Sequence, residues 1–212
     1  MDPLLKIATF NSIPNQEYAL YGSVLESQVD TLLHRLKGLC GTLPGNGDPF
    51  EDHYISYSFK HVSPPIVVRT ARSLIQNVVP WKFQYYGTEQ SDSNRSVTQR
   101  QIIDACCSVK IPTFLQEGLG FQMDFEYIMK GYSFAKNRVK ISVGRVYTAP
   151  RDASGSSVLA GEPVSGSYLV EVSTVAFGGN TDEPSDKDVI QFAEQLKSIV
   201  KLERFDPKRL PA

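Results

Sequence analysis

Apolar and polar residues alternate along several short segments of this chain, and that alternation most limits the folds it can adopt. Ile55, Tyr57 and Phe59 alternate with Ser56 and Ser58, as in a strand with one buried face. Strand-like character recurs at residues 66–72, 81–86, 96–110, 123–129, 139–143 and 168–177. A series of this kind can avoid exposed edges by closing on itself. We therefore predict a mainly β (α+β) fold with flanking helices, an antiparallel closed or partly open β-barrel of about eight strands.

Three segments with helical features accompany the strands. Apolar residues recur at three- and four-residue intervals near residues 26–39 and 186–200, and a segment that opens with proline and ends with glycine predicts a short helix at 111–118. Residues 1–16 show no sustained periodicity, and we predict a loose N-terminal leader there. A chain of 212 residues is near the usual size of one domain, so residues 17–212 are expected to form a single barrel domain.

Charge balance and cysteine usage exclude several functional classes. The 22 basic and 23 acidic residues leave no basic excess of the kind that direct nucleic-acid binding usually requires. Three cysteines, two of them adjacent, fit neither a disulfide framework nor a zinc knuckle and predict a reducing compartment. No secretory signal is recognisable, and no apolar run approaches the roughly 20 residues of a membrane-spanning helix. We expect an intracellular protein with no membrane partner and no direct nucleic-acid partner.

Two carboxylates on one predicted strand are the best enzymatic candidate. Asp124 and Glu126 are two residues apart and would project from the same face of a strand, together with Lys130. Paired carboxylates on barrel strands can hold a divalent metal, and a charged barrel interior can bind polyphosphate, as in tunnel-type phosphohydrolases. A hard cation, however, requires oxygen ligands from more than one strand, and the other predicted strands carry no second such pair. A salt-bridged strand face is the alternative.

Arginines close to aromatic residues in the sequence could indicate a surface for single-stranded nucleic acid. The residues concerned are Arg69, Arg72, Arg95, Arg100, Trp81, Tyr85 and Tyr86. Because the rings follow strand periodicity and the total charge is near neutral, packing within the barrel is the preferred interpretation. The sequence contains no G-x-S-x-G, Walker A or G-x-G-x-x-G motif and no histidine at metal-ligand spacing, so neither a cofactor nor a metal is predicted.

The C-terminal tail sets apolar residues among charged ones. An apolar ridge with a charged rim is typical of protein interfaces. The candidates for partner binding in the tail are therefore Leu202, Phe205, Arg209 and Leu210. The same residues could instead cover one end of the barrel, and both interpretations stay open at this point.

Three separated blocks of the sequence resemble one known family. They are residues 22–40 (GSVLESQVDTLLHRLKGLC), 120–134 (GFQMDFEYIMKGYSF) and 192–210 (FAEQLKSIVKLERFDPKRL). In content and order they resemble subunit 18 of the Mediator complex, a head-module subunit, in an animal form. The leader and the loops at 41–49, 89–94 and 151–166 depart from the family pattern.

This resemblance implies a fold, a set of partners and a location. The fold is an antiparallel β-barrel related in topology to the triphosphate-tunnel enzymes but used as a scaffold, so that the chain is not an enzyme. The partners are Mediator subunit 20, which has a similar barrel, and the C-terminal helix of subunit 8, with RNA polymerase II contacted through the assembled head module in the nucleus. The alternative function is a metal-dependent tunnel-type triphosphate phosphohydrolase that uses Asp124, Glu126 and Lys130.

Overall fold

The computed structural model describes residues 15–41, 47–63, 65–76, 80–87, 96–150, 160–176 and 185–205. Within these ranges the strands are β1 (Asn15–Leu25), β2 (Asp48–Phe59), β3 (Ile66–Ser73), β4 (Trp81–Tyr86), β5 (Thr98–Cys107), β6 (Gln122–Lys136), β7 (Val139–Tyr147) and β8 (Ser167–Ala176). The helices are α1 (Glu26–Cys40), α2 (Ile111–Thr113), which continues as a π-helical turn (Phe114–Gly118), and α3 (Ser185–Glu194).

The eight described strands form one closed antiparallel sheet. Their order around the barrel is β1–β5–β4–β3–β2–β6–β7–β8, and β8 pairs with β1 to close it. The predicted fold class is therefore confirmed. Strands β6 and β7 form a hairpin, and at its turn Asn137 has a φ of 53°, a left-handed conformation that asparagine tolerates better than most residues.

The larger apolar core lies outside the barrel, where α1 and α3 cover the outer faces of β1, β6, β7 and β8. Leu32 and Leu36 of α1 and Val189 and Phe192 of α3 are buried against these strands, together with Leu196 just beyond α3. The buried strand residues of this core are Leu20, Val24, Phe134, Val139, Ile141, Val143, Val170 and Val172. The helical spacing of apolar residues thus places one face of each helix on the sheet.

A smaller core lies under α2 and its π-helical turn. Leu115 is buried there against Ile55, Tyr57, Val68 and Trp81 on the outer faces of β2, β3 and β4. Because both cores lie on the outer side of the barrel wall, the interior of the barrel is left for polar side chains.

Two predicted boundaries differ from the structure. Asn15 and Gln16 belong to β1, where they pair with Ile102 and Gln101, so the loose leader predicted for 1–16 extends too far; residues 1–14 lie outside the described residues. The helix predicted for 186–200 ends at Glu194 and continues as turns. The helices predicted near 26–39 and 111–118 agree with α1 and with α2 plus its π-helical turn.

The remaining structural predictions concern cysteines and membrane helices. Cys40, Cys106 and Cys107 are all free. Among the helices of the described ranges, none is long and apolar enough to cross a bilayer.

Candidate functional site

A polar tunnel runs inside the barrel. One face of every strand contributes to it, and the side chains surround a cavity of about 1040 Å³. The charged side chains among the described lining residues are Glu17, Asp52, Asp104, Glu171, Arg69, Lys82, Arg138 and Lys140. Because buried charges require hydrogen-bond partners or water, the interior is a polar cavity and not a third apolar core.

Arg69 on β3 is held in the tunnel by neutral partners. Its guanidinium donates to Gln84 Oε1 at 3.0 and 2.8 Å, to the Tyr86 hydroxyl at 2.5 Å and to the Tyr127 hydroxyl at 3.3 Å. It also lies over the rings of Tyr54 and Tyr86, 4.7 and 5.0 Å from their centroids. No carboxylate of the described residues forms an ion pair with Arg69.

A second arginine is paired directly with an acid. Arg100 Nε donates to Glu17 Oε2 at 2.6 Å, and its Nη2 donates to the Tyr21 hydroxyl at 2.9 Å. Burial raises the pKa of the Glu17 carboxyl, Arg100 opposes this effect, and the Glu171 carboxylate adds to it. This side of the tunnel therefore carries two acids and one cation.

Charges from three further strands meet around Asp52 on β2. The Tyr54 hydroxyl donates to Asp52 Oδ2 at 3.3 Å. Burial raises the pKa of the Asp52 carboxyl, although Lys82, Lys140 and Arg69 lie close enough to oppose the rise. Asp52 is thus a partly buried acid with basic neighbours on β3, β4 and β7.

The predicted carboxylate pair is split by a β-bulge. The register between β2 and β6 shifts next to Asp124. Asp124 Oδ1 accepts from Ser58 Oγ at 2.8 Å, whereas Glu126 Oε2 lies 2.9 Å from His53 Nε2. Since Ser58 and His53 alternate to opposite faces of β2, the expectation that Asp124 and Glu126 share one face is wrong.

Lys130 also lies away from the tunnel. Its Nζ is 3.0 Å from Glu51 Oε1 on the neighbouring strand. None of Asp124, Glu126 and Lys130 belongs to the tunnel lining, so the structure does not assemble the proposed phosphohydrolase site. In the described part of the chain, no three His, Cys, Asp or Glu side chains converge as metal ligands. The salt-bridged interpretation agrees with these contacts.

The arginines near aromatic residues are used inside the protein. Arg69 and Arg100 both contact Tyr86 in the tunnel, and Arg72 lies over the Trp81 ring at 5.3 Å. This arrangement agrees with barrel packing. Arg95 lies outside the described residues.

The first half of the tail packs along β1. The backbone groups of Tyr21 and Glu203 exchange two hydrogen bonds of 2.9 and 2.8 Å, and Leu202 packs on the larger core. Phe205 is 41% exposed, its backbone N–H donates to Thr98 Oγ1 at 2.9 Å, and its ring meets the Tyr21 ring edge-on. The structure thus separates a half-buried Leu202 from an exposed Phe205, while Arg209 and Leu210 lie outside the described residues.

Sequence reasoning missed most of the tunnel. The sequence does not identify Glu17, Asp52, Lys82 and Glu171 as members of one site, because they stand alone on different strands. A weak signal was present, since charged or hydroxylated residues occupy alternate positions within strands that are otherwise apolar.

These features define a class: a closed antiparallel β-barrel with a charged tunnel and helices on its outer wall. The Med18 protein family model matches residues 16–79 and 51–211. The Aedes aegypti protein named Mediator of RNA polymerase II transcription subunit 18 is 38% identical over 99% of this chain and 93% of its own length. Its Drosophila melanogaster counterpart is 40% identical over 93% of this chain and 89% of its own length. The chain therefore belongs to the Mediator subunit 18 family.

A solved structure supports the same fold. A chain in the structure of the Schizosaccharomyces pombe Mediator head module superposes with a TM-score of 0.70 at 15% identity, covering 90% of this chain and 98% of that one. The relatives are named as a subunit of a transcription complex and not as enzymes. The prediction that the chain is not an enzyme agrees with those names.

Proposed function

We propose that this chain is a non-enzymatic scaffold subunit of the Mediator head module, located in the nucleus, that binds subunit 20 and the C-terminal helix of subunit 8. In this role it helps couple transcription regulators to RNA polymerase II through the assembled module. The observation that carries the proposal is the family match along nearly the whole chain. The dispersed carboxylates support it, since the acidic pair considered for metal binding is engaged by Ser58 and His53.

The test is co-expression of the full chain with the subunit 20 and subunit 8 proteins of the same organism. We expect one complex that survives a salt wash and elutes as a single species in size-exclusion chromatography. Failure of the three proteins to co-purify would contradict the proposal.

Within this function we propose the exposed part of the tail as one partner contact. Phe205 is followed by Arg209 and Leu210, a combination of apolar and basic groups suited to an interface. Leu202 is left out of the contact surface because it packs on the chain's own core. Replacing Phe205 and Leu210 by Asp should weaken the complex about tenfold or more, whereas Lys201→Ala, which changes an exposed residue on the same segment, should not.

A further inference from the structure

Exposed large apolar side chains concentrate at one end of the barrel. This end is formed by the last residue of β1, the β2–β3 turn and the start of β3, the start of β6, the connection after β7 and the start of β8. The exposed apolar residues here, which we call the apolar mouth, are Leu25, Val62, Ile66, Val67, Met123, Phe125, Val164 and Leu169. At the opposite end the exposed strand-end residues include Asp48, Arg138 and Lys140. An apolar concentration of this kind marks an interaction surface.

The apolar mouth opens directly onto the tunnel. Phe125 and Leu169 line the tunnel and are 58% and 37% exposed. Val67 is two residues before Arg69 and therefore lies on the same side of β3. The Phe125 ring stacks on Tyr127 with centroids 6.2 Å apart, and the Tyr127 hydroxyl accepts a hydrogen bond from Arg69. Arg69 thus lies one step below the mouth.

Two pairs of charged groups beside the mouth are engaged within the chain. Lys60 Nζ lies 3.5 Å from Asp124 Oδ1, and Arg145 Nη1 donates to Glu26 Oε1 at 2.8 Å. These pairs compensate each other's charge, so they favour no strongly charged partner surface at the rim. The mouth itself is suited to an apolar side chain.

Arg69 supplies a complementary charge below that apolar rim. A guanidinium has five N–H donors, and the Arg69 contacts use four of them, leaving one on Nη1. Its described hydrogen-bond partners are neutral, although its positive charge acts to lower the pKa of the Glu17 and Asp52 carboxyls. A partly buried guanidinium gains most from a carboxylate, and Arg69, unlike Arg100, has no carboxylate hydrogen-bonded to it among the described residues.

We propose that the apolar mouth docks a segment of another subunit of the assembly in which an apolar side chain stands beside an acidic one. The apolar side chain packs among Val67, Phe125 and Leu169, and the carboxylate pairs with Arg69. This inference rests on the proposed function, because it requires a protein assembly, and it adds the docking surface and the chemistry of the docked segment.

The first experiment tests the apolar contact in the full complex. Phe125→Asp is compared with Val109→Asp, a matched control at a residue that is 76% exposed beside α2 and outside the apolar mouth. Labelled wild-type chain and each variant are titrated with the purified subunit 20 and subunit 8 proteins. We expect Phe125→Asp to raise the Kd about tenfold or more and Val109→Asp to leave it unchanged, with both variants melting as folded proteins.

The second experiment tests the acidic side chain. Val67→Asp puts a carboxylate beside Arg69, and Val67→Asn is its neutral, equally sized control. If the partner presents an acid, Val67→Asp should bind more weakly than Val67→Asn at low salt, and the difference should shrink as ionic strength rises. Equal affinities, or tighter binding by Val67→Asp, would overturn the acidic occupant.

The outcomes separate the inference from the function on which it rests. If wild-type chain forms no complex, both fail. If wild type assembles and Phe125→Asp assembles equally well, the proposed function stands and the docking surface is refuted. Light scattering of the isolated chain tests whether the mouth instead binds a second copy of this chain. A dimer that Phe125→Asp abolishes would show that it does and would overturn the inference.

Discussion

Gly22 on β1 lies directly against the tail, and the tail can pack this closely because glycine has no side chain. A Cβ at this position would lie 2.5 Å from the Lys201 carbonyl oxygen and 3.1 Å from Leu202 Cδ2. Gly22→Ala should therefore displace the tail and lower the free energy of unfolding by about 1–3 kcal/mol, measured by urea denaturation. Gly38→Ala on α1 is the control, because no atom lies within 4 Å of its Cβ position, and it should stabilise the protein by about 0.5–1 kcal/mol. An unchanged midpoint for Gly22→Ala would contradict this packing.

Asp52 gives the tunnel a defined pH dependence. Burial raises the pKa of its carboxyl above the ordinary value, so the folded state holds this proton more tightly than the unfolded state does. The resulting stabilisation is present at low pH and is lost as pH rises from about 4 through the raised pKa. Asp52→Asn stays neutral throughout, and it should gain stability relative to wild type as pH rises from about 4 through the raised pKa of Asp52.

The measurement for Asp52 is urea unfolding of wild type and Asp52→Asn over that pH series. Asp30→Asn, at an exposed position on α1, controls for the loss of one negative charge. A stability difference between wild type and Asp52→Asn that does not change with pH would contradict the argument.

At the scale of whole elements, the sequence predicts a helix or strand that has one apolar face, and it misses a strand that is covered on both sides. The helix α1 was predictable because Val29, Leu32 and Leu36 recur on one face and are buried by the sheet. In β1 the adjacent residues Ala19 and Leu20 are both buried, since one side of the strand faces the tunnel and the other faces the larger core. No alternation remains to identify the strand.

The packing of α1 gives a prediction for the whole helix. Leu33 is 6% exposed within the larger core, so Leu33→Asp would bury an unpaired charge and remove an apolar side chain. We expect a loss of about 3 kcal/mol or more, seen as a non-cooperative melt or a lower melting temperature by circular dichroism. His34→Asp on the exposed face of the same helix should melt like wild type. A soluble, cooperatively melting Leu33→Asp protein of wild-type stability would refute the assigned face.

For the whole molecule, the site depends on strand register, which local patterns do not contain. Asp124 and Glu126 have the spacing of a shared face, yet one bulge between β2 and β6 separates their partners. Lys82 and Lys140 converge on Asp52 only because the barrel closes in its particular order. The barrel itself was predictable from the number and type of strands, whereas the residues that its closure brings together were not.

The tail completes the barrel wall beside β1. Two truncations can separate this structural role of the tail from its proposed role in partner binding. The described pairing of β5 with β1 ends at Ala19, which lies opposite Thr98. Beyond that point the tail lies beside β1 in place of β5, and the backbone groups of Glu203 pair with those of Tyr21. Removing residues 201–212 should free both backbone groups of Tyr21, lower stability by about 1–3 kcal/mol and speed amide exchange there. Removing only residues 206–212 keeps the bridge, so exchange at Tyr21 should stay slow while the proposed contacts of Arg209 and Leu210 are lost. Equal protection of Tyr21 in both truncations would show that the tail does not complete the wall.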